Sequence, residues 1–326
     1  MALDVLLCIA GFVLLYYGAE WLVRGSSSLA RSLGVSRIVI GLTVVAFGTS
    51  TPELVVSAIA SFKGNSMIAV GNVVGSNICN IALILGLSAI FQPLTCHWSV
   101  VKRDIPIMIW LSLAALVLTL DSKIGRIDGT VLLGGIIAYT LFNYRTALRD
   151  CGGAPFGEKE DEETKAAEQE FIASRPGQVA VILLGLSGVI GGAHLVVESA
   201  VTIMKVLGLS EKFIGLTIVA FGTSLPELAT SVVAALRKEM DISIGNVIGS
   251  NVFNLLAVLG LASLISPIVI PGGFIQSGLL IDYLVMVVIS ALPWVFMRAN
   301  YTITRTQGIF LIVCYGGYLT FLVLRG

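Results

Sequence analysis

Apolar stretches of about 20 residues, enough to cross a bilayer core of about 30 Å, recur along the whole chain. They fall at 2–23, 36–62, 67–92, 104–120, 127–148, 177–204, 211–236, 242–266, 278–297 and 306–324, and predict ten transmembrane helices. One hydrophilic interval, Asp150 to Pro176, separates them into five and five. It contains the acidic run EKEDEE from Glu158 to Glu163, which has no EF-hand spacing and reads as a solvated linker. The pattern divides the chain into a first five-helix repeat at 1–149, an acidic linker at 150–176 and a second repeat at 177–326.

The two halves share more than their helix number. Gly41 to Leu54 reads GLTVVAFGTSTPEL, and Gly215 to Leu228 reads GLTIVAFGTSLPEL. From Leu33 to Pro93 the chain aligns without a gap to Leu207 to Pro267, with about half the positions identical, as an internal duplication requires. An odd number of helices per repeat reverses the second repeat in the membrane, the plan of many secondary transporters. The expected fold is therefore all-α and polytopic, with ten transmembrane helices as two inverted five-helix repeats. With the N-terminus outside, fourteen of the twenty Lys and Arg residues fall on inner loops, so both termini face outward and the linker faces the cytoplasm.

Composition supports the membrane reading. Of 326 residues, 56% are hydrophobic and 12% charged, and a mean hydropathy of +0.95 lies outside the range of soluble domains. A formal net charge of zero offers no basic face for a nucleic acid. The five cysteines have no CxxC spacing and form no disulfide framework. The first apolar stretch has no basic n-region and no small-residue cleavage site, so it reads as a retained helix.

Ionisable residues inside a membrane helix are costly and mark functional sites, and Glu53 and Glu227 stand at matching mid-span positions. Thr49 lies four residues before Glu53 and Ser50 three before it, so their oxygens share a face. Pro52 lacks an amide hydrogen, and the resulting distortion is expected to turn carbonyls such as that of Ala46 toward a cavity. Ala220, Thr223, Ser224, Pro226 and Glu227 repeat the arrangement.

The next helix of each half reads GNVVGSNICN (Gly71 to Asn80) and GNVIGSNVFN (Gly245 to Asn254). Its GxxxG spacing allows close helix approach. Ser76 and Asn80 are four residues apart, as are Ser250 and Asn254, and each pair can face one place. Asn72, Asn77, Asn246 and Asn251 read as helix-to-helix hydrogen-bonding groups. Two carboxylates, amides, hydroxyls and freed carbonyls, without thiolate or imidazole, suit a hard cation. The charge matches one Ca²⁺, and Na⁺ can use the same oxygens.

Other polar residues read as structural. Glu20 and His194 match in position but not in chemistry and are assigned to packing or helix-end contacts; His97 beside Trp98 is interfacial; Asp104 and Asp282 near helix starts are assigned to capping. No HExxH, paired catalytic Asp, Ser–His or Cys–His arrangement occurs at membrane depth, so no enzyme activity is expected.

With these motifs the sequence resembles the cation/Ca²⁺ exchanger superfamily, specifically its microbial Na⁺/Ca²⁺ exchanger branch. The resemblance covers nearly the whole chain and rests on Gly-Thr-Ser-x-Pro-Glu and Gly-Asn-Val-x-Gly-Ser-Asn, each present twice. Related Ca²⁺/H⁺ exchangers usually show a Gly-Asn-x-x-Glu form, so Na⁺ is the favoured driving ion and Ca²⁺/H⁺ antiport the alternative. The resemblance implies that Glu53 and Glu227 bind Ca²⁺ together with the carbonyls of Thr49 and Thr223. It implies that Ser50, Ser76, Ser224 and Ser250, with the carbonyls of Ala46 and Ala220, complete flanking Na⁺ sites, and that Asn80 and Asn254 line the centre. Some relatives carry Asp at one of the two central positions; this chain has Asn at both. The resemblance further implies a first and sixth helix that slide as a gate, Ca²⁺ and Na⁺ as transported ions with no cofactor, and a prokaryotic plasma membrane location. Membrane lipid is then the surroundings, and no obligatory protein partner is expected.

Overall fold

In the computed structural model, residues 2–150, 174–207 and 220–325 are described. Most of the acidic linker, Lys212 and the opening of the second GLTIVAFGTS cassette lie outside them. The protein is a predominantly helical multi-pass membrane protein. Six described helices are long and apolar enough to span a bilayer, and a bent pair makes a seventh.

Helix α1 (Ala2–Leu33) runs well past the expected end at residue 23. Nothing in Gly25-Ser-Ser-Ser breaks it until Gly34, which takes a φ of 68°. Arg24 and Arg31 are consequently helical rather than in a loop, and Arg24 pairs with Glu20 one turn earlier at 2.6 Å. Helix α7 (Arg175–Val206) starts at Ser174, whose Oγ accepts from the Gly177 amide, with Pro176 in the first turn, where its missing amide hydrogen costs nothing.

Helices α1 and α7 pack closely on each other through glycines at Gly11, Gly18 and Gly25 on one side and Gly185, Gly188 and Gly192 on the other. A Cβ on Gly18 would stand 2.6 Å from the Val189 amide nitrogen. Gly18→Val is accordingly expected to cost about 1–3 kcal/mol through overpacking, read as a lowered melting temperature of the purified protein.

The first bent pair is α2 (Arg37–Thr49) and α3 (Thr51–Phe62), meeting at 45°. The break is at Ser50 (φ −83°, ψ 7°), and Pro52 sits in the first turn of α3. In the second half, α8 (Ala220–Gly222) and α9 (Leu225–Leu236) meet at Ser224 (φ −89°, ψ 3°), with Pro226 in the equivalent place.

The centre is formed by α4 (Ser66–Phe91) and α10 (Met240–Ile265), with 78% and 83% of their apolar windows buried against a third for α1 and α7. Each widens into a π-helical turn at matching asparagines, Asn80–Leu85 in α4 and Asn254–Val258 in α10. Such turns recur at functional sites because they redirect side chains within a continuous helix.

The outer helices are α5 (Ile105–Thr119), α6 (Arg126–Asp150), α11 (Leu279–Asn300) and α12 (Arg305–Arg325). Two of them close on the opposite half. Gly129 of α6 approaches Gly260 of α10, and Gly308 of α12 approaches Gly86 of α4.

The loops depart from the all-α expectation. Strand β1 (Leu94–Thr95) pairs antiparallel with β4 (Thr302–Ile303), and β2 (Lys123–Ile124) with β3 (Ile268–Val269). Two-residue strands leave no periodic signature in a sequence, yet each pair ties a loop of the first half to a loop of the second.

Candidate functional site

Glu53 and Glu227 lie in the first turns of α3 and α9, just after the two breaks, and both are fully buried. Their partners cross between the halves. The Ser50 hydroxyl donates to Glu227 Oε1 at 2.8 Å, and the Ser224 hydroxyl donates to Glu53 Oε1 at 3.2 Å. Ser224 Oγ is also 3.3 Å from Ser76 Oγ of α4. Each break thus presents a serine to the other half's glutamate, which brings both carboxylates to one place.

The second oxygen of each carboxylate is a different matter. Glu53 Oε2 and Glu227 Oε2 are buried without a hydrogen-bond partner among the described residues, and so are Asn80 Oδ1, Asn254 Oδ1 and Ser250 Oγ. A buried polar atom left unpaired costs about 1–3 kcal/mol, and more when charged. Five such oxygens stand on the elements that meet at the breaks, a donor set with the chemistry of a cation site. Among the described residues no cluster of three His, Cys, Asp or Glu side chains occurs. The donor set is therefore two carboxylates with neutral oxygens, which fits a hard cation better than a transition metal.

The structure brings together Glu53, Glu227, Ser50, Ser224 and Ser76; Asn80 stands one turn beyond Ser76 on α4, and Ser250 and Asn254 hold the matching positions on α10. The Thr49 hydroxyl donates to Asn246 Oδ1 at 3.0 Å and reaches the Ala46 carbonyl at 3.4 Å. The Thr223 hydroxyl donates to Asn72 Oδ1 at 3.4 Å. The Ala46 carbonyl keeps the Ser50 amide as its helical partner at 3.0 Å, so an ion would meet it on its second lone pair. In the second half the Ser224 amide bonds to Phe221 instead, at 3.1 Å, a tighter turn after Ala220.

Asn72 and Asn246 brace the glutamate turns. Asn72 Nδ2 donates to the Glu53 carbonyl at 3.2 Å and to Ser57 at 2.8 Å; Asn246 Nδ2 donates to the Glu227 carbonyl at 3.3 Å and to Ser231 at 2.9 Å. Ser57 and Ser231 were not singled out from the sequence. The signal was present: each stands four residues after its glutamate, at equivalent places in the duplication.

Close helix approach supports this network on one side. A Cβ on Gly249 of α10 would lie 2.6 Å from the Leu42 carbonyl oxygen and 2.7 Å from the Ala46 Cβ of α2. An added Cβ on Gly71 or Gly75 meets nothing within 4 Å among the described residues.

Several of the remaining polar residues join helices. Glu20, 8% exposed, pairs with Arg24 and with Arg237, just beyond the end of α9, while His194 is exposed and lies 3.2 Å from Glu198. Ser27 and Arg37 both bond Glu239, at 2.7 and 3.0 Å. Asp104 does not cap α5; its side chain is buried and pairs with Arg103 at 2.9 Å. Asp282 lies inside the first turn of α11, and instead of capping it bonds Arg325 at 3.0 Å and accepts from Tyr318 at 3.2 Å, joining α11 to α12. His97 packs beside Trp98 with ring centroids 5.5 Å apart.

The family described as sodium/calcium exchanger protein matches residues 3–145 and 177–324. The chain belongs to this family. The exchanger is 39% identical over 271 residues to the inner membrane protein YrbG of Escherichia coli, covering 82% of this chain and 81% of that one. It is 31% identical over 350 residues to the sodium/calcium exchanger MaX1 of Methanosarcina acetivorans, covering 99% of each. Its fold is similar to that of the sodium-calcium exchanger NCX_Mj soaked with 2.5 mM Na⁺ and 0.1 mM Ca²⁺, with a TM-score of 0.80, 36% identity and 96% of each chain covered. With the same protein soaked in zero Na⁺ and Ca²⁺ the TM-score is 0.83 at 35% identity, covering 98% of this chain and 99% of that one.

Proposed function

We propose that this exchanger is a secondary antiporter that moves Na⁺ against Ca²⁺ across the membrane by alternating access, through one site shared by its two halves. The observation that carries this reading is the crossed pair Ser50–Glu227 and Ser224–Glu53, which joins two fully buried carboxylates. Family membership and the similarity to MaX1 and NCX_Mj supply the ions. The proton-coupled alternative has no such support.

In this account Glu53 and Glu227, with the carbonyls of Thr49 and Thr223, hold Ca²⁺. Ser50, Ser76, Ser224 and Ser250, with the carbonyls of Ala46 and Ala220, complete the places taken by Na⁺, and Asn80 and Asn254 line the centre. The fold is read as ten spans in two five-helix repeats, 1–149 and 177–326, reversed in the membrane and joined by the linker 150–176 on the cytoplasmic side of a prokaryotic plasma membrane. The α1–α7 pair is the mobile gate.

Coupling follows from the charge of the site. Without ions, two carboxylates would stand unpaired in low dielectric at a cost of several kcal/mol each. The empty carrier therefore rarely changes sides, and transport of one ion requires return of the other.

The test is ⁴⁵Ca²⁺ uptake into proteoliposomes preloaded with Na⁺, against vesicles loaded with K⁺ or choline. Uptake should require internal Na⁺. Uptake indifferent to Na⁺ and driven by an imposed pH gradient would reject the proposal in favour of Ca²⁺/H⁺ antiport.

A further inference from the structure

Four buried asparagines join α4 to α10 in a reciprocal pattern. Asn77 Nδ2 donates to the main-chain carbonyl of Asn251 at 3.4 Å, and Asn251 Nδ2 donates to the main-chain carbonyl of Asn77 at 3.3 Å. Their side-chain oxygens then accept from the central pair: Asn80 Nδ2 donates to Asn251 Oδ1 at 2.9 Å, and Asn254 Nδ2 to Asn77 Oδ1 at 3.2 Å.

The direction of every amide here is fixed by chemistry. A main-chain carbonyl only accepts, so Asn77 and Asn251 must each turn Nδ2 toward it. Thioethers that also only accept flank the same nitrogens, Met286 Sδ at 3.8 Å from Asn77 and Met108 Sδ at 3.6 Å from Asn251. The oxygens of Asn77 and Asn251 are thereby left facing Asn254 and Asn80. Those two must answer with their NH₂ groups, since the reverse would set two oxygens against each other. What remains is Oδ1 of Asn80 and of Asn254, the two amide oxygens that are buried without a hydrogen-bond partner among the described residues. Asn80 lies one turn from Ser76 and Asn254 one turn from Ser250, each where its helix widens into the π-turn.

We propose that Asn77 and Asn251 are positioning residues: through a crossed amide lock anchored on main-chain carbonyls, they hold Asn80 and Asn254 with oxygen rather than NH₂ turned to the transported ion. The inference rests on the reading that Asn80 and Asn254 face that ion. A flipped amide would point hydrogen-bond donors at a cation, so the lock sets the sign of the dipoles lining the site. Neither Asn77 nor Asn251 need touch the ion to do this.

The experiment is a double-substitution cycle on the half-saturating Ca²⁺ concentration for Na⁺-driven ⁴⁵Ca²⁺ uptake in proteoliposomes. Asn77→Leu keeps the volume but removes the lock on Asn254, and should raise half-saturation at least tenfold. An aspartate presents oxygen whichever way it turns. In an Asn254→Asp background the same Asn77→Leu change should therefore raise half-saturation less than threefold, or lower it. An equal rise in both backgrounds, or a fall in maximal rate with half-saturation unmoved, would show a packing role and overturn the proposal. Should Asn77→Leu not fold, Asn77→Ala and the mirror pair Asn251→Leu with Asn80→Asp are read in the same way. Failure of the underlying reading has its own signature: Asn254→Leu alone would leave half-saturation at the wild-type value.

Discussion

Glu53→Gln is expected to lower Na⁺-driven Ca²⁺ uptake by two orders of magnitude or more, and Glu227→Gln to do the same. Two unit charges 4 Å apart interact by about 4 kcal/mol at an effective dielectric of 20, and a divalent ion doubles the stake. Since about 1.4 kcal/mol is a factor of ten, one lost carboxylate is enough to empty the site. Either substitution alone should suffice, because Ser50 and Ser224 tie each glutamate to the opposite half and leave one shared site. Glutamine keeps the shape and can still accept from the serine, so folding should survive, with an unchanged elution profile as the check. Half-maximal uptake in either variant would mean two independent sites.

The second large effect is expected at Gly249. Valine there would drive its Cβ to within 2.6 Å of the Leu42 carbonyl oxygen and 2.7 Å of Ala46, both backbone or near-backbone atoms of α2 that have nowhere to move. Relief requires α10 and α2 to separate next to the Ser50 break, which would pull Ser50 away from Glu227. Gly249→Val should therefore abolish uptake and lower stability by about 1–3 kcal/mol. Gly316→Ala in α12, where an added Cβ meets nothing within 4 Å among the described residues, is the control and should change neither quantity. Uptake intact in Gly249→Val would show that contact between α2 and α10 is not what holds the site.

Much of this was legible in the sequence because duplication makes chemistry visible. Glu53 with Glu227, Ser50 with Ser224 and Asn80 with Asn254 stand at a constant separation, and the structure gathers them on paired elements. Hydropathy alone pointed to a multi-pass chain, and six described helices are long and apolar enough to span a bilayer, with a bent pair making a seventh. What failed to show were features that depend on tertiary partners. Residue spacing put Thr49 on the face of Glu53, but it did not announce the partner of the Thr49 hydroxyl, Asn246, 197 residues away. Pro52 signalled a distortion without fixing which carbonyl it would release. The length of α1 was hidden because Gly25 and three serines look like a helix end until α7 is placed against them. Glu20 and Arg237 are 217 residues apart, and nothing local to either one announces their ion pair. Asn77 and Asn251 were legible as helix-bridging amides; their control over the direction of Asn80 and Asn254 needs the main-chain carbonyls, which a sequence does not locate.

The central claim is one cation site built by both halves and used in turn by Ca²⁺ and Na⁺. Equilibrium ⁴⁵Ca²⁺ binding to the purified protein, titrated with Na⁺, tests it most directly. The account predicts one saturable Ca²⁺ site per chain, displaced by Na⁺ and absent from both Glu53→Gln and Glu227→Gln. Two independent Ca²⁺ sites, or binding that persists in high Na⁺ or in either variant, would contradict it.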